Sequence, residues 1–223
     1  ELAQYSHQAK VIRVDAPTNQ YVKVLQNQLS FSFNIRPSAL LKENGNKFGK
    51  FIGRFVTQTV YRVDNKTYDN GQFFNTDFLT SAVNDTTLLS TNYALRQSLF
   101  FNQTATVFGF DYSFLNNKNK QLLFNGFDSR DNYTHEFKWR LNFLKSWSFL
   151  SSNSAGVKAY ASQFFSTRNY KIEVYDSEQK LNFQPNTAFR LSLIYKYTQK
   201  QNIAEGGFQK TMISDYALET RFN

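Results

Sequence analysis

The chain has 223 residues, a formal net charge of +9 and no cysteine, so a disulfide framework is excluded. It contains no run of about 18 apolar residues, which is the length that predicts a transmembrane helix. Phenylalanine and tyrosine, with 24 and 13 copies, supply much of the hydrophobic content. Because aromatic residues favour pleated, half-buried surfaces, this composition predicts a β-rich chain.

The positive charge permits binding to phosphates, lipid head groups or nucleic acid. However, the basic residues are spread along the chain and mostly alternate with aromatic residues instead of forming one block. This spacing is typical of a solvated sheet face. We therefore predict no nucleic-acid partner.

The first third of the chain gives the weaker strand signals. Residues 1–20 predict an irregular lead-in, and residues 21–87 predict less regular strands and loops. Within them, alternation predicts strands over residues 28–36 and 49–63, and Pro37 ends the first because proline lacks the backbone donor of a ladder. A polar loop is expected over residues 64–71.

Residues 88–223 predict regular hairpins. We expect strands over residues 88–101, 107–114, 121–127, 133–144, 147–160, 170–175, 181–183, 189–200 and 216–222. A turn is expected at residues 116–120 and a loop at residues 128–132, where asparagine, lysine and aspartate replace the alternation. The sequence thus predicts an all-β fold, an antiparallel up-and-down meander of roughly ten strands without a confident helix.

Successive side chains of a strand point to opposite faces, so the alternation separates two surfaces. The residues expected to face lipid or a core are Phe108, Phe110, Tyr112, Phe114, Phe137, Trp139, Phe189, Tyr195 and Tyr197. The residues expected to face a lumen or solvent are Glu136, Lys138, Arg140, Lys171, Glu173, Arg190 and Lys196.

Strand length separates two architectures. Strands of soluble sandwiches have about 5–6 residues, whereas a membrane-spanning strand needs about 9–11. Several predicted strands reach the longer range, with apolar residues on one parity and polar residues on the other, as in outer-membrane barrels. We expect a non-enzymatic segment of an outer-membrane β-barrel, acting in transport, secretion or assembly, with outer-membrane lipid and other envelope proteins as partners.

Two alternatives remain from the sequence. The same alternation suits a soluble, exported, surface-exposed β-sheet binding protein that docks on an envelope complex. It also suits a carbohydrate-binding β-domain that uses exposed aromatic residues such as Trp147. Detergent dependence and retention of glycans distinguish them.

Catalytic and metal-binding patterns are weak throughout. The chain has two histidines, His7 and His135, and His135 lies on an aromatic parity, where packing is the expected role. The segment 45–51 has the wrong glycine spacing for a phosphate loop, and no Gly-x-Ser-x-Gly motif is present. We predict no catalytic residue, no cofactor and no metal.

Five stretches carry a family resemblance: residues 98–102, 108–112, 122–130, 164–170 and 189–197. Their style and order over residues 88–223 resemble the C-terminal part of large Bacteroidota outer-membrane or cell-surface β-proteins. The resemblance implies a location in the bacterial outer membrane, with the cell surface as the alternative, and membership of an envelope assembly. The resemblance assigns no functional residue. The sequence stops in mid-pattern, one residue past the aromatic Phe222, which predicts that residues 1–223 form a single β-rich segment of a longer chain.

Overall fold

A computed structural model describes residues 22–39, 47–68, 86–103, 107–204 and 206–222. Nine strands account for most of them. Their bounds are β1 (Val24–Ile35), β2 (Phe55–Tyr68), β3 (Leu88–Phe101), β4 (Phe108–Leu123), β5 (Gly126–Phe143), β6 (Trp147–Ser162), β7 (Tyr170–Phe183), β8 (Phe189–Asn202) and β9 (Lys210–Phe222).

The strands form one sheet in which each strand pairs with the next along the chain. Every one of these pairs is antiparallel. The predicted all-β fold and up-and-down order are therefore confirmed, with nine strands among the described residues instead of roughly ten. β1 and β9 are the two edges, and the described residues form no ladder between them.

Helical structure in the described ranges is short. One α-helix, α1 (Lys47–Ile52), precedes β2, and 3-10 turns cover Pro37–Ala39 and Ser166–Arg168. The prediction of a strand from residue 49 was wrong, because α1 occupies that position and places the Phe51 ring 5.4 Å from Phe55. No helix in the described part of the chain is long and apolar enough to cross a membrane.

The β4–β5 hairpin is longer than the alternation indicates. β4 continues to Leu123 through the predicted turn at residues 116–120, and β5 includes the predicted loop at residues 128–132. The chain reverses at Phe124 and Asn125, and Gly126 has a φ of 117°, which glycine adopts without a steric penalty. The alternation disappears over residues 116–120 and 128–132 because these residues are polar on both faces, although the ladder continues.

Two smaller predictions also differ from the structure. Residues 64–68, expected in a loop, belong to β2, and residues 69–71 lie outside the described residues. The two short strands expected at residues 170–175 and 181–183 are parts of the continuous β7. Because these two predicted strands are one strand in the structure, the observed number of strands is smaller by one than the number predicted.

The sheet has a single layer and only a small buried core. The buried apolar residues of the described ranges are Val63, Leu88, Phe101, Phe127 and Val157. Many other large apolar side chains are exposed, including Phe137 at 43% and Phe222 at 77%. A sheet is stable when its apolar face packs against another layer. The exposed apolar side chains of this sheet therefore require contact with groups outside the described residues.

The tightest backbone approach of the central strands lies at Gly156 in β6. A Cβ atom there would meet the carbonyl oxygen of Tyr133 and would lie 3.0 Å from the Cα of Thr134. We expect Gly156→Ala to lower the free energy of unfolding by about 1–3 kcal/mol, because the β5 backbone must shift. Denaturant unfolding measures this loss. Ser154→Ala, on the same strand and face, is the control and should change stability by less than about 0.5 kcal/mol.

Candidate functional site: the two faces of the sheet

The strand register places the aromatic residues of different strands on one surface. A single row of paired residues contains Phe55, Phe101, Phe110, Trp139, Ser151, Gln179, Tyr195 and Tyr216. Directly paired residues of an antiparallel ladder lie on the same face. We name the surface that carries this row the aromatic face, and the opposite surface the polar face.

The aromatic face is apolar only over part of the strand length. On β5 it carries Tyr133, His135, Phe137, Trp139, Leu141 and Phe143, and we name this level of the sheet the aromatic band. Next to Tyr133, the same face carries Lys118 and Asp131, which form an ion pair with a 3.5 Å N–O distance. The long strands therefore extend out of the band into a charged region.

Ring contacts connect neighbouring strands within the aromatic band. The ring centroids of Phe101 and Phe110 are 5.1 Å apart, and those of Phe110 and Phe137 are 5.8 Å apart. On the same face near the β9 edge of the sheet, the ring centroids of Tyr195 and Tyr216 are 5.0 Å apart. Such pairs contribute about 0.5–1.5 kcal/mol each beyond area burial, so they help to fix the register.

The polar face carries a row of alternating charges. Reading across the strands from β4 to β9, the register aligns Asp111, Lys138, Ser152, Glu178, Lys196 and Asp215. We name this set the charge row. Opposite charges on neighbouring strands stabilise a sheet, so the row favours this register.

Ion pairs and hydrogen bonds surround the charge row. Lys196 Nζ lies 3.3 Å from a carboxylate oxygen of Glu178, and Lys138 Nζ lies 2.8 Å from Glu136. The Ser113 hydroxyl donates a hydrogen bond of 3.3 Å to the other oxygen of Glu136. These groups are largely exposed, where each ion pair contributes about 0–1 kcal/mol, so the polar face has the character of a hydrated surface.

An uncharged hydrogen-bonded cluster lies beside the charge row. Asn182 is 4% exposed and Ser192 is 3% exposed. The Asn182 amide donates to the Ser148 hydroxyl at 3.1 Å and accepts from the Ser192 hydroxyl at 2.8 Å. These bonds satisfy buried polar groups and connect β6, β7 and β8 on the polar face.

The polar face contains a cavity of about 320 Å³. Its charged lining comes from Asp111, Lys138, Arg140, Glu178 and Lys180, and Gly109 leaves room at one side. Arg140 donates a hydrogen bond of 3.4 Å to the Gln103 carbonyl, and Lys180 lies 3.5 Å from Glu219. Trp139 and Leu150 also line the cavity, which therefore combines both signs of charge with apolar surface.

All nine aromatic residues singled out from the sequence lie on the aromatic face, as the pairing of β4, β5, β8 and β9 places them. Of the seven polar residues, Glu136, Lys138, Arg140, Arg190 and Lys196 lie on the polar face. The remaining two, Lys171 and Glu173, lie on the aromatic face, which differs from their predicted parity.

The difference at Lys171 and Glu173 has a physical reason. Glu173 pairs with Val157 and Lys171 with Ala159, at the level where the aromatic face changes from the band to the charged region. The parity of β7 is fixed by Tyr175, Leu181 and Phe183, which lie on the aromatic face. Outside the aromatic band neither face has to be apolar. Local alternation there does not indicate on which face of the sheet a residue lies.

Sequence reasoning missed a polar patch inside the aromatic band, formed by Ser151, Asn153, Ser177 and Gln179. The Asn153 amide donates to the Ser151 hydroxyl at 2.8 Å and accepts from the Ser177 hydroxyl at 2.8 Å. Gln179 donates to Ser177 at 3.0 Å. The patch spans β6 and β7, so only the register brings its members together.

Side chains of the types that bind metal ions do not cluster in the described ranges. Among the described residues, no group of three or more histidine, cysteine, aspartate or glutamate side chains is placed to hold a metal ion. His135 instead contacts aromatic residues, with its Nδ1 2.8 Å from the Tyr112 hydroxyl and its ring 4.8 Å from Phe114. His135 is thus an exposed side chain that contacts the aromatic residues of its own face.

Comparisons with known proteins give no assignment. No family model matches the chain. No curated protein and no solved structure matches it either.

One titratable pair lies beyond the aromatic band, at the β4–β5 hairpin end of the sheet. Hydrogen bonds from the hydroxyls of Ser162 and Tyr160 lower the pKa of Asp128 below its ordinary value. The Tyr160 hydroxyl lies 2.9 Å from Asp128. The same hydrogen bond raises the pKa of Tyr160, because it stabilises the protonated phenol.

We expect Tyr160→Phe to raise the pKa of Asp128 towards its ordinary value, because one donor to the carboxylate is lost. A lowered pKa stabilises the fold above the ordinary carboxyl pKa, and this contribution is lost as the pH falls through the lowered pKa. Carboxyl NMR titration measures the change. Tyr170→Phe is the control, since Tyr170 stacks on Tyr160 at 5.8 Å; an equal shift in both variants would contradict the assignment.

Proposed function

We propose that this chain is a non-enzymatic segment of an outer-membrane β-barrel. In this proposal the aromatic band meets lipid, and the polar face contributes to the wall of a hydrated lumen. The segment would serve an envelope protein in transport, secretion or assembly, next to other envelope proteins.

The observation that carries the proposal is the single layer of long strands. The nine strands have 12 to 18 residues. Strands in soluble sheets usually have about 5–6 residues, so even the shortest strand of this sheet is about twice as long. Within the described ranges no second sheet lies on the aromatic face. A bilayer is an apolar surrounding that covers such a face without a second layer of protein.

The height of the aromatic band supports the proposal. Residues 133–143 of β5 extend over roughly 34 Å at about 3.4 Å per residue. With a strand tilt of about 45°, this length corresponds to a height of roughly 24 Å, close to the apolar belt of about 25 Å in outer-membrane barrels. The charged residues beyond Tyr133, such as Lys118 and Asp131, would then lie in the aqueous region.

The chemistry of the polar face supports a lumen wall. The 320 Å³ cavity is lined by Asp111, Lys138 and Glu178 of the charge row, so it presents both signs of charge to one space. Lumens of outer-membrane barrels are polar in this way, and their charged residues tune selectivity. This arrangement favours water-filled passage or partner contact over chemical conversion.

Cell fractionation tests the membrane location. We expect the protein to stay in the outer-membrane fraction after a carbonate or high-salt wash and to be released only by detergent. Immunoblotting of the wash and detergent fractions measures this retention. Release by the wash would overturn the barrel proposal and favour a soluble β-sheet protein docked on an envelope complex.

Lysine substitutions test which face meets lipid. We expect Phe137→Lys and Trp139→Lys to reduce membrane assembly, at a cost of about 2–4 kcal/mol for a lysine near the midplane of the bilayer. Heat-modifiable migration of the outer-membrane fraction on gels measures assembly.

The matched control lies between these two residues. Lys138→Ser, on the polar face, should assemble normally, because lysine and serine would both face water at this position. Equal tolerance at the aromatic and polar positions would contradict the assignment of the faces.

A further inference from the structure

The aromatic face carries charged residues at only one end of the described sheet. The register places six charged strand residues on this face, and every other charged residue of the nine strands lies on the polar face. The six are Lys118, Lys120, Asp131, Lys171, Glu173 and Lys210. They occupy three successive rows of the ladder on this face, which extend over roughly 14 Å at about 3.4 Å per residue.

These rows begin at the edge of the aromatic band. The first row aligns Tyr133, the outermost residue of the band on β5, with Glu173 and Lys210. The other four charged residues lie in the next two rows, farther from the band. At the opposite end the band continues to Phe143, next to the β5–β6 turn, and the described strands carry no charged residue on this face there. The charge therefore follows one edge of the band and not the other.

Lysines outnumber carboxylates in these three rows. We name the four lysines the lysine rim: Lys118, Lys120, Lys171 and Lys210. Lys118 forms the ion pair with Asp131 described above. Lys171 and Lys210 are exposed, and no ion pair within the described part of the chain includes either of them. The rim thus has an excess of positive charge that is directed away from the sheet.

The position of the lysine rim indicates the anion that it meets. A lysine at the boundary of an apolar region packs its methylene groups on apolar surface and keeps its ammonium group in water. Lys120 has this arrangement, because its Nζ lies 4.7 Å from the centre of the Phe127 ring. When lipid chains cover the aromatic band, the groups beside the rim are lipid head groups, whose anionic members attract basic residues. Ammonium groups bind phosphate as point charges, so the two chemistries are complementary.

We propose that the lysine rim binds the phosphate groups of lipid head groups in one leaflet of the membrane. The inference rests on the proposed function, because lipid must cover the aromatic band before head groups can lie beside the rim. It goes beyond that function by naming the lipid chemistry that this end of the sheet selects. The leaflet concerned is the one at the β4–β5 hairpin end of the strands, where the rim lies.

Vesicles of pure phosphatidylcholine separate this inference from the proposed function. The whole chain is refolded into these vesicles, and heat-modifiable migration on gels measures its insertion. Failure to insert would overturn the barrel proposal and this inference with it. Insertion without a preference for phosphatidic acid over phosphatidylcholine would overturn this inference alone.

Spin-labelled lipids measure the preference of the inserted chain. Phosphatidic acid and phosphatidylcholine, each with a spin label on one acyl chain, are added to the vesicles in trace amounts. Electron paramagnetic resonance spectra give the fraction of each lipid that the protein immobilises. We expect phosphatidic acid to be favoured about three- to tenfold, and high salt should reduce this preference because it screens the ammonium groups.

Two matched double variants test whether the face decides the preference. Lys171→Gln with Lys210→Gln removes two lysines of the rim, and the preference for phosphatidic acid should fall below about twofold. Lys158→Gln with Lys200→Gln removes two lysines from the polar face near the same end of the sheet and should leave the preference unchanged. Both double variants lose the same charge. An equal reduction in both would therefore indicate a long-range effect of net charge and would contradict the proposal.

Inorganic phosphate distinguishes a lipid site from a site for free phosphate. Excess inorganic phosphate is compared with sodium chloride at the same ionic strength, with the unmodified chain in the vesicles. We expect the two salts to have equal effects on the preference for phosphatidic acid, because the acyl chains hold the lipid phosphate beside the rim. Loss of the preference with phosphate and not with chloride would identify free phosphate as the occupant and would overturn the assignment to lipid.

Discussion

The antiparallel ladder between successive strands is the interaction on which the rest of this structure depends. The described part of the sheet has no second layer, so each inner strand is held in place by its two neighbours, each edge strand by one, and all of them by the side-chain pairs across the ladder. Hydrogen bonds alone do not choose a register, because a slip of one residue leaves a ladder intact and exchanges the faces. The aromatic contacts, such as Phe101 with Phe110, and the charge row supply that choice.

The separation of two faces follows from the same ladder. One face concentrates apolar rings within the aromatic band, and the other concentrates charges, amides and hydroxyl groups. The polar patch of Ser151, Asn153, Ser177 and Gln179 interrupts the aromatic band, yet its members bond to one another. In an apolar surrounding polar groups must satisfy each other internally, so this closed network is compatible with the proposed lipid contact.

Much of the fold was predictable where one face had to be apolar. The alternation at residues 133–143 identified β5, and that at residues 189–200 identified β8, because burial of one parity constrains each second residue. The prediction was wrong at residues 116–120 and 128–132, since both faces of the ladder are polar there and the sequence shows no alternation. The polar patch could not be predicted from one strand, because its members meet only through the register of β6 and β7.

β1 and β9 run in the same direction, because strands with odd numbers are parallel in an up-and-down sheet. This shared direction affects the contacts that two copies of the chain can form. Proteins inserted by one route share one orientation in a membrane, so two neighbouring copies of the proposed segment would present β1 and β9 edges that run the same way. Every contact between such edges would be parallel, whereas the described sheet is built only from antiparallel pairs. Exposed edges are a common origin of aggregation, and the shared strand direction would disfavour the addition of one copy after another within a membrane.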